Sequence, residues 1–274
     1  MDNDRVCFEI FHEWNGVYIG EAAREGLRGG VMTSSSLNSG PMTPPDSTAV
    51  PQWKRRLDVA LVLLLLPFLL PLMIFIGLLI RLVSKGPILF KQERIGHRGE
   101  KFMCLKFRTM FVGSETASHQ GYLHHLMKSD KPMIKLDTQG DSRIIPFGVL
   151  LRSSGLDELP QLVNVLRGDM SLVGPRPCLA YEYENYLPWQ RERFNTLPGL
   201  TGLWQVSGKN STTFAEMMHL DITYAREKSL WLDLWIILKT APAILDQVRG
   251  ARKTKSAKPL PLPQRSSRPL ESNV

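Results

Sequence analysis

The sequence predicts an α+β fold, mainly helical, with a small β-hairpin and a proline-broken re-entrant membrane helix, a monotopic arrangement. Three observations carry that expectation. From Val59 to Ile80 the chain is apolar throughout, interrupted only by Pro67, Pro71 and Gly77. Further on, "PILFKQERIG" and "EKFMCLKFRTM" alternate in part around the glycine-punctuated "GHRG", the pattern of two strands and a turn. Downstream, "FGVLLRSS", "ELPQLVNVLRG", "TFAEMMHLDITYAREKS" and "LWLDLWIILKTAPAIL" read as helices.

The apolar run would be about 33 Å long as a straight helix, against a hydrocarbon core of about 30 Å. Length alone therefore allows a full span. Pro67 and Pro71 argue for a bend, because each removes an N–H donor and crowds the carbonyl four residues back. They lie four residues apart on one helix face, so their bends add. Basic residues flank both ends: Lys54, Arg55 and Arg56 before, Arg81, Lys85, Lys91 and Arg94 after. Such residues favour the cytoplasmic side, and a hairpin that returns to its own face satisfies both flanks. Trp53 suits an interfacial anchor. A kinked ordinary span is the alternative, since membrane helices tolerate proline. A buried core helix fits less well, because the run is apolar on every face. Trp231 and Trp235 leave the last helix open to two readings, a membrane-interface helix or a core helix.

Composition divides the 274 residues. Residues 1–52 are expected to form a disordered extension, rich in Gly, Ser, Thr and Pro from 28 to 51. Its acidic start does not resemble a secretory signal. Residues 53–85 carry the membrane helix, 86–249 a structured domain expected on the cytoplasmic side, and 250–274 a disordered tail mixing prolines with basic residues. A net charge of +8 points to an anionic partner: nucleic acid, anionic lipid or a phosphorylated substrate. No aromatic-basic platform or helix-turn-helix pattern supports nucleic acid, and anionic headgroups suffice for the basic tail. Cys7, Cys104 and Cys178 are too scattered for a disulfide framework or a zinc site and suit a reducing compartment.

The chemistry concentrates in "GLDELPQLVNVLRGDMSLVGPRP", residues 155–177. Asp157 is placed as a helix N-cap, with Pro160 in the first turn and Gly168 closing the helix. Two adjacent carboxylates, Asp157 and Glu158, then sit at the positive end of a helix dipole. An ionised Asp there can attack phosphorus, and a second carboxylate can share a divalent cation. Taken alone, an Asp N-cap followed by Glu is common and usually structural. Two prolines hold the backbone around Arg176, whose paired donors suit a phosphate but also a structural carboxylate bridge. Lys106, Arg108, Arg143 and Arg152 are further cations that would form a metal-diphosphate site if they converged on the acidic pair.

Five ordered stretches together resemble the bacterial sugar transferase family, the monotopic polyprenyl-phosphate phosphoglycosyl transferases of exopolysaccharide initiation. They are "KRRLDVAL", "GPILFKQERIGHRGEKFMCLKFRTM", "LRSSGLDELPQLVNVLRGDMSLVGPRP", "LPGLTGLWQVSGKN" and "LDITYAREKSLWLDLWIILKT", between about Lys54 and Thr240. The resemblance implies that Asp157 attacks the β-phosphate of a nucleotide diphosphosugar, with uridine the expected nucleoside, and carries a covalent phosphosugar. Glu158 would assist Mg²⁺ binding and proton handling, so that Asp157 and Glu158 share the metal. Lys106, Arg152 and Arg176 match basic positions expected to bind substrate phosphate. Undecaprenyl phosphate would accept the phosphosugar at the cytoplasmic face of the bacterial inner membrane, within the lipid bilayer. The family's membrane helix breaks near its midpoint at a proline commonly preceded by Ser; Pro71 falls there, with Leu70 in place of the Ser and Pro67 close by. Gly155 stands where many members have Ser or Thr. Two other functions compete: transfer of the sugar alone, releasing nucleoside diphosphate, and a non-catalytic scaffold, which would not require the Asp157–Glu158 pair.

Overall fold

Helix α1, Gln52–Val83, is the longest element in the computed structural model, which describes residues 49–112, 143–208 and 212–253. The bulk of the expected N-terminal extension, and the tail beyond residue 253, lie outside the described residues. Neither Pro67 nor Pro71 interrupts α1. Each costs the helix one backbone hydrogen bond, and the remaining bonds carry the helix past both. Although α1 is apolar all round from Val59 to Ile80, it is not a core helix. A single stripe, Val62, Leu69, Ile76 and Ile80, rests against the rest of the chain. The opposite face is open, with Leu64 65%, Phe68 76% and Leu82 81% exposed. Val62 packs with Leu162, Val165 and Met170, whereas Ile76 and Ile80 pack with Phe107, Ile145 and Leu151. Both ends of α1 therefore seat on the same domain.

The basic flank is not what the sequence suggests. Lys54 is fully buried, its Nζ 2.6 Å from Asp233 Oδ2 and 2.8 Å from the Tyr224 hydroxyl. Arg55 donates to the carbonyls of Val165 and Leu166, and Arg94 is buried as well. Arg56, Arg81, Lys85 and Lys91 stay at the surface. Asp58 completes the seat: its Oδ1 accepts from Ser171 Oγ at 3.0 Å and from the Leu172 amide at 2.9 Å.

The hairpin is present. Strand β1, Leu89–Ile95, pairs antiparallel with β2, Lys101–Phe107, in the register Leu89↔Phe107 to Ile95↔Lys101. Helix α2, Gly148–Ser154, leads through Gly155 and a 3₁₀ turn, Leu156–Glu158, into α3, Gln161–Arg167. A second sheet follows that the sequence does not predict: β3, Ser171–Val173, runs parallel to β4, Gly199–Thr201. Its basis is glycine. A Cβ on Gly174 or on Gly199 would overlap backbone atoms of the other's segment, so only hydrogens allow the two chains this close. Between them lie α4, Ala180–Glu184, and a 3₁₀ segment, Pro188–Asn195.

Helices α5 (Leu203–Val206), α6 (Phe214–Glu227) and α7 (Leu230–Lys253) complete the domain. Thr213 and Glu216 cap α6 reciprocally, through Glu216 N–H to Thr213 Oγ1 at 3.2 Å and Thr213 N–H to Glu216 Oε2 at 2.8 Å. Helix α7 runs four residues into the stretch assigned to the tail, since "GARK" holds no proline and Pro259 is the first breaker. Helix α7 is a core helix on one face only. Leu232 and Ile236 are buried in the core, while Trp231 is 69% and Leu238 75% exposed on the other face.

Candidate active site

The acidic pair does not cap a helix. Asp157 and Glu158 sit in the 3₁₀ turn, and the position before α3 is taken by Pro160. Pro160 has no N–H, so no bond runs from it back to Leu156. The turn closes instead by shorter bonds, Glu158 N–H to Gly155 O at 3.0 Å and Leu159 N–H to Leu156 O at 3.3 Å. Gly155, at φ 72°, reverses the chain out of α2; a left-handed position of this kind suits glycine better than Ser or Thr. Gly168 ends α3 as predicted, at φ 94°.

Asp157 is buried and Glu158 half-buried. Lys106, on β2, reaches Glu158 directly, Nζ to Oε1 2.7 Å. Asn164 arranges that meeting. Fully buried on α3, its side chain accepts from the Leu105 amide at 3.1 Å and donates to the Met103 carbonyl at 2.8 Å. A polar residue in the apolar run "LVNVL" was the sequence signal for such a bond. Strand β2 is thereby bonded to the helix that follows the acidic pair.

Arg176 leaves the Gly174–Pro177 loop with its side chain 30% exposed and Nη1 3.8 Å from Glu182 Oε1. Burial opposes its charge, but Glu182, with Tyr186 and Glu158, outweighs burial and raises its pKa. Glu158 is thus within electrostatic reach of Arg176. The buried thiol of Cys104 lies inside the same group: burial pushes it up, and the charges of Lys106, Arg94, Glu158 and Arg176 all bear on it. Arg152 stands in the last turn of α2, five residues before Asp157, its Nη1 3.4 Å from Thr109 Oγ1. Arg108 closes the C-terminus of α1, through the Ser84 carbonyl at 2.9 Å and the Lys85 carbonyl at 2.7 Å.

Sequence reasoning missed the buried groups behind Arg176. Arg193 pairs with Asp221 at 2.5 Å, and each is 2% exposed. Burial raises Asp221 to about 6 against the pull of Arg193. No local pattern marks these residues, because the partners lie on separate elements.

An acidic pair joined by Lys106 and within electrostatic reach of Arg176, on a domain that carries an exposed apolar helix, makes a candidate site for an anionic substrate. The comparisons make the class specific. The bacterial sugar transferase family matches residues 50–247, and the chain belongs to it. It is 39% identical over 191 residues to the exopolysaccharide production protein ExoY of Sinorhizobium fredii, covering 70% of this chain and 84% of that protein. It is 41% identical over 213 residues to the UDP-glucose:undecaprenyl-phosphate glucose-1-phosphate transferase of Caulobacter vibrioides, covering 75% and 74%. The undecaprenyl-phosphate galactose phosphotransferase of Salmonella typhimurium is 37% identical over 198 residues, covering 70% of this chain and 40% of that one.

Proposed function

We propose that this chain moves a sugar 1-phosphate from a nucleotide diphosphosugar, expected to carry uridine, to undecaprenyl phosphate, and so begins exopolysaccharide or glycan assembly. The observation that carries the proposal is the meeting of Lys106 with Glu158 beside buried Asp157. In the proposed first step a carboxylate oxygen of Asp157 attacks the β-phosphorus. The bond from that phosphorus to the bridging oxygen breaks, and nucleoside monophosphate leaves with the electron pair. An oxygen of undecaprenyl phosphate then attacks the same phosphorus, and the bond to Asp157 breaks to restore the carboxylate. Arg176, Arg152 and Lys106 would hold phosphate oxygens, and Glu158 would handle the proton.

The donor set suits Mg²⁺. Two adjacent carboxylates, with no group of three metal-binding side chains among the described residues, match an ion that takes one or two protein carboxylates and fills its shell with water and substrate phosphate. Bound by Asp157 and Glu158, Mg²⁺ would offset the repulsion between a carboxylate and a diphosphate.

The re-entrant course of α1 belongs to the same proposal. A helix of 32 residues is about 48 Å long, enough to cross a bilayer, yet both its ends rest on one domain. A transverse span would carry one end to the far side. A helix that bends in the bilayer and returns would keep both ends at the cytoplasmic face, with its exposed side chains, Leu64, Phe68 and Phe75 among them, in lipid.

The test supplies the lipid-embedded protein with Mg²⁺, undecaprenyl phosphate and a panel of UDP-sugars, and identifies the nucleotide released. UMP with one sugar supports phosphosugar transfer and names the donor. UDP overturns the covalent route in favour of sugar-only transfer, and no product with any donor favours a scaffold.

A further inference from the structure

The loop that carries Arg176 is held in an unusual way. Pro175 and Pro177 have no N–H, so the loop cannot secure itself through its own donors there. Its carbonyls are gripped from outside instead, four in succession. The Gly199 amide bonds to Pro175 O at 2.9 Å, and Arg193 Nη2 to Arg176 O at 2.8 Å. Arg94 Nη1 bonds to Pro177 O at 3.1 Å, and the Ile95 amide to Cys178 O at 2.9 Å. Two of the four donors are side chains of buried arginines, Arg94 at 7% and Arg193 at 2% exposure.

Each of these arginines is itself braced. Arg94 is forked onto the Gln92 amide oxygen, at 3.2 Å from Nε and 2.7 Å from Nη2. Arg193 pairs with Asp221 and donates to the Tyr186 hydroxyl at 3.0 Å. Glu182 adds a charge contact on the loop's own side chain: Oε2 accepts from the Leu179 amide at 3.2 Å, while Oε1 faces the Arg176 guanidinium. Buried charge is costly unless it is paired, and a proline-rich loop needs only uncharged donors at its carbonyls. Two buried guanidinium groups are more than chain tracing requires, and both end on the two residues, Arg176 and Pro177, that aim the half-buried guanidinium of Arg176.

We propose that Arg94 and Arg193 are positioning residues for the reaction: they fix the backbone at Arg176 so that its guanidinium meets substrate phosphate in one orientation, and they touch no substrate themselves. This rests on the reading of Arg176 as a phosphate ligand. A displacement of about 1 Å at such a group can cost about 10²-fold in rate, so the loss should be large for residues remote from the substrate.

The experiment is a double-mutant cycle on the full-length protein in lipid, with undecaprenyl phosphate and the UDP-sugar that the product assay selects. Arg193→Lys keeps a cation beside Asp221 but lacks the second donor arm. Alone it should lower kcat/KM about 10–100-fold. In an Arg176→Ala background the same change should cost less than about twofold, because the group it positions is gone. Its effect on melting temperature should be equal in the two backgrounds. An equal loss of kcat/KM in both backgrounds, or no loss in the first, overturns the inference and leaves Arg176 as a ligand. Native kcat/KM in Arg176→Ala removes the ligand reading and this inference with it. Should Arg193→Lys fail to accumulate, Arg94→Lys is carried through the same cycle with the same expectations.

Discussion

Replacing Lys54 by Met tests how the membrane helix is keyed to the domain. In the native protein Lys54 Nζ lies 2.6 Å from Asp233 Oδ2, and both side chains are 0% exposed. Tyr224 lies between, its hydroxyl 2.6 Å from Asp233 Oδ1 and 3.0 Å from the Val173 carbonyl. A hydroxyl has one proton, so Tyr224 cannot satisfy Asp233 alone once the ammonium is gone. Burial already pushes Asp233 up, and Lys54 and Tyr224 pull it back. Stranding one member of a buried pair costs about 3–5 kcal/mol. At about 2–4 °C per kcal/mol for a domain of this size, the melting temperature should fall by roughly 6–20 °C. The assay is thermal unfolding of the purified protein in detergent. Lys54→Met combined with Asp233→Leu should regain most of the loss, since an apolar pair of similar volume is often neutral in such a place. A single variant melting within about 2 °C of native, or a double variant no better than the single, would refute the argument.

Four further outcomes are expected. Asp157→Asn should abolish turnover while the protein still fractionates with membranes; substantial residual activity in the product assay would remove the nucleophile assignment. Lys106→Met should lower kcat/KM on the order of 10²-fold, with a stability change under about 1 kcal/mol because its pair with Glu158 is partly exposed. Gly199→Ala should destabilise the domain by about 1–3 kcal/mol, read by thermal unfolding, because its Cβ meets the backbone at Gly174. Asp221 titrates at about 6 when folded and at its ordinary lower value when unfolded, so between those values the folded state binds the extra proton. Native stability measured relative to Asp221→Asn should therefore fall as pH rises from about 4 to 6 and then level off.

Local chemistry made part of this protein legible in its sequence. "GHRG" announces the β1–β2 turn, since Arg98 and Gly99 both take positive φ there. Gly168 marks the end of α3, and the order of motifs from Lys54 to Thr240 carries the family and the acidic pair. Each depends on neighbours in the chain, where spacing and residue type already limit the backbone. The error over Asp157 shows the limit of that logic. The pattern Asp-Glu-x-Pro suits a cap, yet α3 begins only after Pro160 and the pair lands in a 3₁₀ turn.

Pairings between distant segments were decided by the tertiary structure alone. Lys54 and Asp233 are 179 residues apart, and a basic residue before an apolar run reads as a headgroup contact until the partner is seen. Arg94 and Arg193 look like surface charges in the sequence and are buried behind Arg176. The parallel pairing of β3 with β4 needs two glycines brought together from positions 174 and 199, which no periodicity reports. Composition and spacing specify what a segment can become next to itself. Which charge is neutralised, and which loop is held still, depends on the groups that packing brings within about 3 Å, the length of a hydrogen bond.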